Sequence, residues 1–543
     1  MPIREIPTRP YTDQKSGTAG LRKKVAVFQQ PHYLENFLQS IFDVETSLRG
    51  ATLVIGGDGR YHNREAIDTA IAMAAANGVA RIVVGQGGIL STPAASHLIR
   101  LRKAAGGLLF TASHNPAGPD GDFGIKFNIT GGGQASETLT GKIYEHSKQL
   151  SRYRIYEGAT IDLDRRGSEK IGETLVEVVD CVDDYARLQQ SLFDFDRIRD
   201  WFRKGGRLRF DAMHAVTGPY AKRIFIEQLG APEGSVMNGC PLEDFGDGHP
   251  DPNLIYARHL YDLAMSADAP DVIAASDGDG DRNMILGRGQ FISPGDSLAM
   301  LAAHLTRLPG YKTGLKGVAR SMPTCRAVDQ VAKAQGIHCY ETPTGWKFFC
   351  NLLDAGQLTL CGEESFGTSS DHTREKDGLW AVLAWLNIVA TTGLGVRELA
   401  QQHWARYGRH YYARHDYDDL PTAAANAVMA ELKAQLPALT GQTHGLWAVS
   451  AADEFSYTDP IDGSVATAQG LRIVFGEAAR IVLRLSGTGT QGATLRLYLE
   501  RYETDAAQLD GATNELLAPL AAIAEKLLRL GELTGRKGPS VIT

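Results

Sequence analysis

Between Thr52 and Phe110 the sequence alternates short β-branched runs with alanine-rich helical segments, and glycines mark each change. Leu53-Val54-Ile55 reads as a strand ending at Gly56-Gly57-Asp58-Gly59. Ala66, Ile67, Ala70, Ile71 and Ala74 recur at i, i+3, i+4 spacing and predict a helix, with Asn63 as its cap and Gly78 as its stop. Arg81-Ile82-Val83-Val84-Gly85 is the next strand, Thr92 to Ala105 a second helix, and Gly107-Leu108-Leu109-Phe110 a third strand. Strands and helices joined this tightly pack as parallel strands with right-handed crossovers. Ligands of open α/β sheets lie at the carboxyl ends of such strands.

The third strand runs directly into Thr111-Ala112-Ser113-His114-Asn115-Pro116 and then a turn rich in glycine and aspartate. A serine nucleophile needs an activating group; His114 and Lys126 are near in sequence, and no G-x-S-x-G elbow points to acyl chemistry. Farther on, Ser276-Asp277-Gly278-Asp279-Gly280-Asp281-Arg282 sets carboxylates at alternate positions, where their repulsion calls for a hard divalent cation. An EF-hand is excluded because its sixth and twelfth positions would be Arg282 and Arg288, and a strand, Met284-Ile285-Leu286, follows where a helix should.

Three more loops carry groups suited to binding anions or hydroxyl groups. Lys15 to Lys24 places glycines and a hydroxyl before three cations, a setting that can wrap an anion. Cys361 to Gly367 supplies Glu363, Glu364 and Ser365 as fixed hydrogen-bonding groups at a strand end, the kind that discriminates hydroxyl positions. Arg484-Leu485-Ser486-Gly487-Thr488-Gly489-Thr490-Gln491-Gly492 contains a formal G-x-G-x-x-G. Dinucleotide binding is rejected there, because the alternating residues that follow it, Leu495-Arg496-Leu497-Tyr498-Leu499-Glu500, form a strand and not a helix. Arg484, Ser486, Thr488 and Arg496 read instead as a phosphate cradle.

With 543 residues the chain exceeds one core, and the α/β rhythm recurs. Arg207 to Phe210 precedes a helix from about Thr217 to Leu229, and Val272 to Ala275 leads to the aspartate loop. Gly317-Val318-Ala319, Ile337 to Tyr340 and Leu358 to Cys361 are strands around helices near Thr324 to Gln335 and Trp346 to Leu353. Two strands, Ile481 to Leu485 and Ala493 to Tyr502, mark a different last part. The expected architecture is three related α/β domains with mixed sheets, 1–181, 182–304 and 305–405, and an α+β domain, 406–543, four domains around a central cleft.

The net charge of −7 gives no overall basic field for nucleic acid or an anionic membrane. The six cysteines form no C-x-x-C pair and match neither a zinc site nor a disulfide framework, so reduced thiols are expected. The N-terminus lacks the apolar core of a signal peptide, and no apolar run approaches the roughly 20 residues that span a bilayer. The expectation is a soluble, cytoplasmic protein that engages neither nucleic acid nor membrane.

The T-A-S-H-N-P stretch, with Gly124-Ile125-Lys126-Phe127-Asn128 after it, resembles the phosphoserine loop of the α-D-phosphohexomutases, and the longer run through Asn128 is similar to their phosphoglucomutase branch. The D-G-D-G-D loop resembles that family's metal loop, the glutamate loop its sugar loop, and the Arg484 to Gly492 stretch its phosphate loop, with Thr490 and Gln491 where relatives carry serine and alanine. Ser16 stands where relatives have proline, and Ser369 where many have glycine.

The resemblance implies a catalytic group of Ser113, Lys376, His114, Lys126 and Arg22. It implies substrate contacts from Arg22, Ser113, Asp281, Arg282, Thr344, Gly345, Glu363, Ser365, Lys376, Arg484, Ser486, Gly487, Thr488 and Arg496. The metal ligands it implies are Ser113, Asp277, Asp279 and Asp281, with one Mg²⁺ per chain. The implied reaction interconverts α-D-glucose 1-phosphate and glucose 6-phosphate through a phosphoserine enzyme and glucose 1,6-bisphosphate, which also serves as activator. Lys376 would relay the proton, in a cation-crowded setting that favours its neutral form. Sugar phosphates are the expected partners, and the chain is a monomer or a homodimer. A phosphomonoesterase using the same serine and metal, and a non-catalytic relative, remain as rivals.

Overall fold

The computed structural model describes residues 2–486 and 492–543 and divides into two compact units. The first unit comprises residues 1–291, 304–314 and 365–395, and the second comprises 292–303, 315–364 and 396–543.

A seven-stranded mixed sheet leads the first unit, in the order Leu21–Lys24, Asp122–Ile129, Gly106–Phe110, Thr52–Gly57, Arg81–Ile89, Thr174–Val179, Gly167–Ile171. Its central strands are parallel, as the strand–helix alternation predicts. Asp122–Ile129 returns antiparallel to Gly106–Phe110, so the loop carrying Ser113 joins two neighbouring strands at one sheet end. Val54 and Val83 are fully buried within those strands, while Leu53, Ile55, Ile67, Ile71, Ile82 and Val84 join a core beneath the helices. A second sheet of this unit sets Val236–Met237, Leu208–Asp211, Val272–Ala275 and Met284–Gly287 side by side, the last pair antiparallel.

Three parallel strands open the second unit, Val318–Ser321 between Cys339–Thr342 and Leu360–Gly362. Its largest sheet has six strands ordered Ala451–Glu454, Leu471–Phe475, Ala479–Ser486, Ala493–Glu503, Arg409–Leu420, Val541–Ile542, all antiparallel. Strand alternation there separates two faces. Ile481, Leu483, Leu495, Leu497 and Leu499 enter an apolar core. Arg480, Arg484, Arg496, Tyr498 and Glu500 alternate with them along the same two paired strands.

Several local expectations are corrected. Asn63 is the first residue of its helix, Asn63–Ala76, and His62 in a left-handed conformation is the cap; the Asn63 amide donates to the Phe110 carbonyl at 3.0 Å instead. The second helix ends at Leu101 and not near Ala105. The segment from Thr217 is an α-turn to Ala221 followed by a π-helix, Lys222–Gln228. No single helix among the described residues is long and apolar enough to cross a membrane. All six cysteines are free thiols.

Candidate functional site

Ser113 follows the Gly106–Phe110 strand in a left-handed backbone conformation, φ 54°, that a non-glycine residue adopts only when held there. The holding group is a buried ion pair. Arg60 lies 2.9 Å from Asp58 and donates to the backbone carbonyls of Ser113 and Asp122, both at 2.8 Å. Thr111 donates its hydroxyl to Asp58 at 2.5 Å and accepts the Ser113 backbone N–H at 2.8 Å. The sequence placed Asp58 in a strand-end loop but gave Arg60 and Thr111 no role; an Arg two residues after a strand-end Asp was the available signal.

The loop presents the Ser113 hydroxyl to the aspartate cluster, donating to Asp277 at 2.9 Å. Asp277, Asp279 and Asp281 are fully buried, and one ligand oxygen from each lies within 4.8 Å of the others. Two of their oxygens, Oδ1 of Asp279 and of Asp281, have no hydrogen-bond partner among the described residues. Buried carboxylate oxygens left without donors are costly, so this cluster fits a hard divalent cation with oxygen ligands. Backbone packing explains the glycines between them: a Cβ at Gly278 would stand 2.2 Å from the Ser113 carbonyl oxygen, and Gly280 has φ 79°.

Two lysines oppose the acids. Lys126 reaches Asp279 at 2.5 Å and Asp281 at 3.4 Å, and Thr92 donates to Asp279 at 2.6 Å. Lys376 pairs with Asp281 at 3.2 Å. Burial acts to lower the Lys126 ammonium, but Asp279 and Asp281 overcome it and raise it above its ordinary range. Burial pushes Asp279 up, and Lys126 more than reverses this and holds it well below the carboxylate range. Burial, then Asp281 and Asp279, push Asp277 well up, which expresses the excess negative charge of the cluster.

His114 Nδ1 lies 3.4 Å from the Ser113 hydroxyl, and burial followed by Arg282 and Arg22 pushes the imidazole well below its ordinary range, keeping it neutral at pH 7. Arg22 donates to Asn115 at 3.5 Å, and Arg282 pairs with Asp251 at 2.8 Å. Arg282, Arg22 and Lys376 all act electrostatically on the buried His114, and Lys376 is paired with the Asp281 carboxylate.

In the second unit Glu363 accepts the Gly345 N–H at 3.0 Å, tying the Thr344 loop to the glutamate loop. The Thr344 hydroxyl has no partner among the described residues. Arg484 and Arg496 face each other in register on adjacent strands, Arg484 donates to the Tyr498 hydroxyl at 3.2 Å, and Tyr498 donates to Glu364 at 3.3 Å. Glu364 and Glu363 both act electrostatically on Arg484. Ser486 ends its strand. Gly487 and Thr488 lie outside the described residues. Ser365 belongs to the first unit, just before Phe366, whose φ is 67°.

Comparison with known proteins covers the chain throughout. Residues 13–154, 183–290 and 294–407 match domains I, II and III of the α/β/α type described for phosphoglucomutase/phosphomannomutase, and 409–540 match the C-terminal domain described for phosphoglucomutase-1. The chain is 57% identical over 541 residues to a phosphoglucomutase of Rhizobium radiobacter, covering 100% of both chains. It is 51% identical over 557 residues to human phosphoglucomutase-1, with 99% of each covered. Among solved structures, the open form of pp63/parafusin, a phosphoglucomutase from Paramecium, superposes with a TM-score of 0.93 at 46% identity over 100% of this chain and 99% of its own. Matches of this extent, running through both units, establish that the chain belongs to the phosphoglucomutase/phosphomannomutase family.

Proposed function

We propose that the chain is a phosphoglucomutase that interconverts α-D-glucose 1-phosphate and glucose 6-phosphate, and that the reaction centre is built on Ser113. The observation that carries the reading is the Ser113 hydroxyl held 2.9 Å from a buried aspartate triad with unpartnered oxygens. Full-length relatives at 57% and 51% identity bear the phosphoglucomutase name.

Phosphoryl transfer asks for in-line placement and charge stabilisation more than covalent chemistry. With a phosphoryl group on Ser113, the bond from phosphorus to Oγ breaks as one to a sugar hydroxyl oxygen forms. The hydroxyl proton passes to Lys376 and returns by way of it to the serine oxygen. The product of this half is glucose 1,6-bisphosphate, and the second half returns the other phosphoryl group to Ser113. Asp277, Asp279, Asp281 and the Ser113 side chain would hold Mg²⁺, which when bound neutralises charge on the transferring group. Arg22, His114, Lys126 and Arg282 surround that position with positive or neutral donors. Arg484, Arg496, Ser486, Gly487 and Thr488 hold the phosphate that is not reacting.

Thr344, Gly345, Glu363 and Ser365 hold the sugar hydroxyls. The bisphosphate must serve in two orientations related by a half-turn, in which the equatorial O3 and O4 hydroxyls of glucose roughly exchange places. One set of protein groups then serves both. A phosphomonoesterase reading predicts release of inorganic phosphate to water. A coupled assay on glucose 1-phosphate with Mg²⁺ and trace bisphosphate decides: glucose 6-phosphate without inorganic phosphate is expected, and release of inorganic phosphate in its place contradicts the reading.

A further inference from the structure

Residues 370–377 contain a chain of contacts in the order of a hydrolase triad, separate from Ser113. The Ser370 hydroxyl lies 2.7 Å from His372 Nδ1, and His372 Nε2 lies 2.9 Å from Asp377. Tyr311 extends the chain, its hydroxyl 2.7 Å from Ser370, and the Trp380 indole donates to Tyr311 at 2.7 Å. The His372 side chain is 2% exposed and stacks on the Trp380 ring at 5.5 Å.

One direction of donation uses every proton of this chain with a neutral imidazole. The Trp380 indole N–H can only donate, so the Tyr311 oxygen accepts from it, and in this direction Tyr311 directs its own proton to Ser370. Ser370 then donates to Nδ1, and the remaining imidazole proton sits on Nε2 and goes to Asp377. Nucleophilic use of Ser370 is excluded by its surroundings: the residue is wholly buried, and its oxygen already serves Tyr311 and His372.

The chain ends at Asp377, whose position in the fold gives it a purpose. Asp377 is fully buried and also accepts from the Tyr185 hydroxyl at 2.5 Å, Gln189 at 3.3 Å and the Trp380 backbone N–H at 3.0 Å, the last as cap of helix Gly378–Thr392. Its own N–H bonds the Thr368 carbonyl, and the next N–H, of Gly378, bonds the Gly280 carbonyl inside the aspartate loop, both at 3.0 Å. Lys376 immediately precedes these ties in the chain. A Cβ at Gly367 would meet the Lys376 side chain at 2.3 Å, so the lysine stem lies directly across that glycine.

We propose that His372 is a positioning residue, which through Asp377 fixes the segment that directs the Lys376 ammonium toward Asp281. The inference rests on the reading that Lys376 handles the proton of the transfer. Aiming matters because a displacement of about 1 Å can cost roughly 100-fold in rate. The Ser–His–Asp order is here a brace, in which the imidazole joins Ser370 to Asp377 and conveys geometry.

The test compares kcat and KM for glucose 1-phosphate, and unfolding temperature, in His372→Asn, His372→Gln and Lys376→Met of the full chain with Mg²⁺. The Asn amide can meet Ser370 but is too short for Asp377, while the Gln amide can reach Asp377. In His372→Asn, kcat is expected to fall roughly 10- to 100-fold with KM changed less than about threefold, and His372→Gln to recover most of the loss at a similar unfolding temperature. Ser370→Ala, a small change of volume, is expected to lose about threefold in kcat and keeps the proposal testable where His372→Asn does not fold.

Wild-type kcat in His372→Asn, or in Ser370→Ala where that variant stands in, beside an inactive Lys376→Met overturns the role of His372 and leaves that of Lys376. Equal losses in the Asn and Gln variants that follow their unfolding temperatures also overturn it. Wild-type kcat in Lys376→Met overturns the lysine reading and this proposal together.

Discussion

In the first unit the buried aspartate cluster leaves carboxylate oxygens without a donor among the described residues, whereas in the second every oxygen of Glu500 and Glu341 has one. Asp277, Asp279 and Asp281 meet Lys126 and Lys376, yet two carboxylate oxygens keep no donor. In the second unit Glu500 accepts from the Arg326 N–H at 2.8 Å and from Arg480 at 3.0 Å, and lies 2.7 Å from His410. Glu341 pairs with Arg320 and Arg472, each at 2.7 Å, and Arg320 holds Asp329 at 2.6 and 2.7 Å. Both arrangements bury charge at a desolvation cost. Where both carboxylate oxygens are met by arginines, as in Glu500 and Glu341, the ion pairs offset much of that cost and serve as structure. The open cluster requires a further cation, which is how a binding site differs from a buried salt-bridge network.

The comparison can be broken first in the second unit. Glu500→Ala removes the buried carboxylate shared by Arg480, Arg326 and His410, and a stability loss of about 3–5 kcal/mol is expected from denaturant titration. The kcat/KM of the folded protein should change far less. A variant that loses rate but keeps its stability would make this network part of the site.

Asp279→Asn tests the open cluster. It removes a proposed metal ligand and the closest partner of Lys126, so kcat/KM at fixed Mg²⁺ should drop by at least about 100-fold, beyond what outer partners of a metal typically cost. Raising Mg²⁺ should recover part of the loss. A Mg²⁺ titration curve identical to that of the wild type would remove Asp279 from the metal site.

A smaller effect sharpens the contrast through pH. Glu375 is buried beside this cluster, where Asn128 and Gln134 donate to its two oxygens at 2.9 and 3.0 Å. Burial raises its carboxyl from 4.5 to about 7, with Asp281 adding to the rise and Lys126, Gln134 and Asn128 opposing it. Between those values the folded chain holds a proton that the unfolded chain has released. Its contribution to stability is therefore complete below the lower value and is lost as pH rises through the upper one, up to about 3 kcal/mol. Glu375→Gln should flatten that part of the stability profile, and a profile with the wild-type slope would place the titration elsewhere.

The sequence reaches different depths in the two units. Parallel strands at Thr52–Gly57, Arg81–Ile89 and Gly106–Phe110 follow from local periodicity, and the loops around Ser113 and Asp277 to Asp281 are contiguous, so their chemistry is readable residue by residue. Partners distant in sequence are not. Arg60 with the Ser113 carbonyl, Glu375 with Asn128, and Arg326 with Glu500 meet only through tertiary packing. Asn63 misled because a cap and a first-turn residue share one composition, and the tertiary bond to Phe110 decided between them. The π-helix at Lys222–Gln228 leaves no periodic mark that separates it from an α-helix.

The central claim is that Ser113 carries the phosphoryl group, and mass spectrometry of the protein tests it most directly. After incubation with glucose 1,6-bisphosphate and Mg²⁺, wild type should gain one phosphoryl group located by peptide mapping at Ser113. Ser113→Ala should gain none, keep the unfolding temperature of a folded protein, and lose roughly 10⁴-fold or more in kcat, as removal of a covalent carrier typically does. Undiminished turnover in Ser113→Ala, or a phosphoryl group mapped to another residue, would contradict the account.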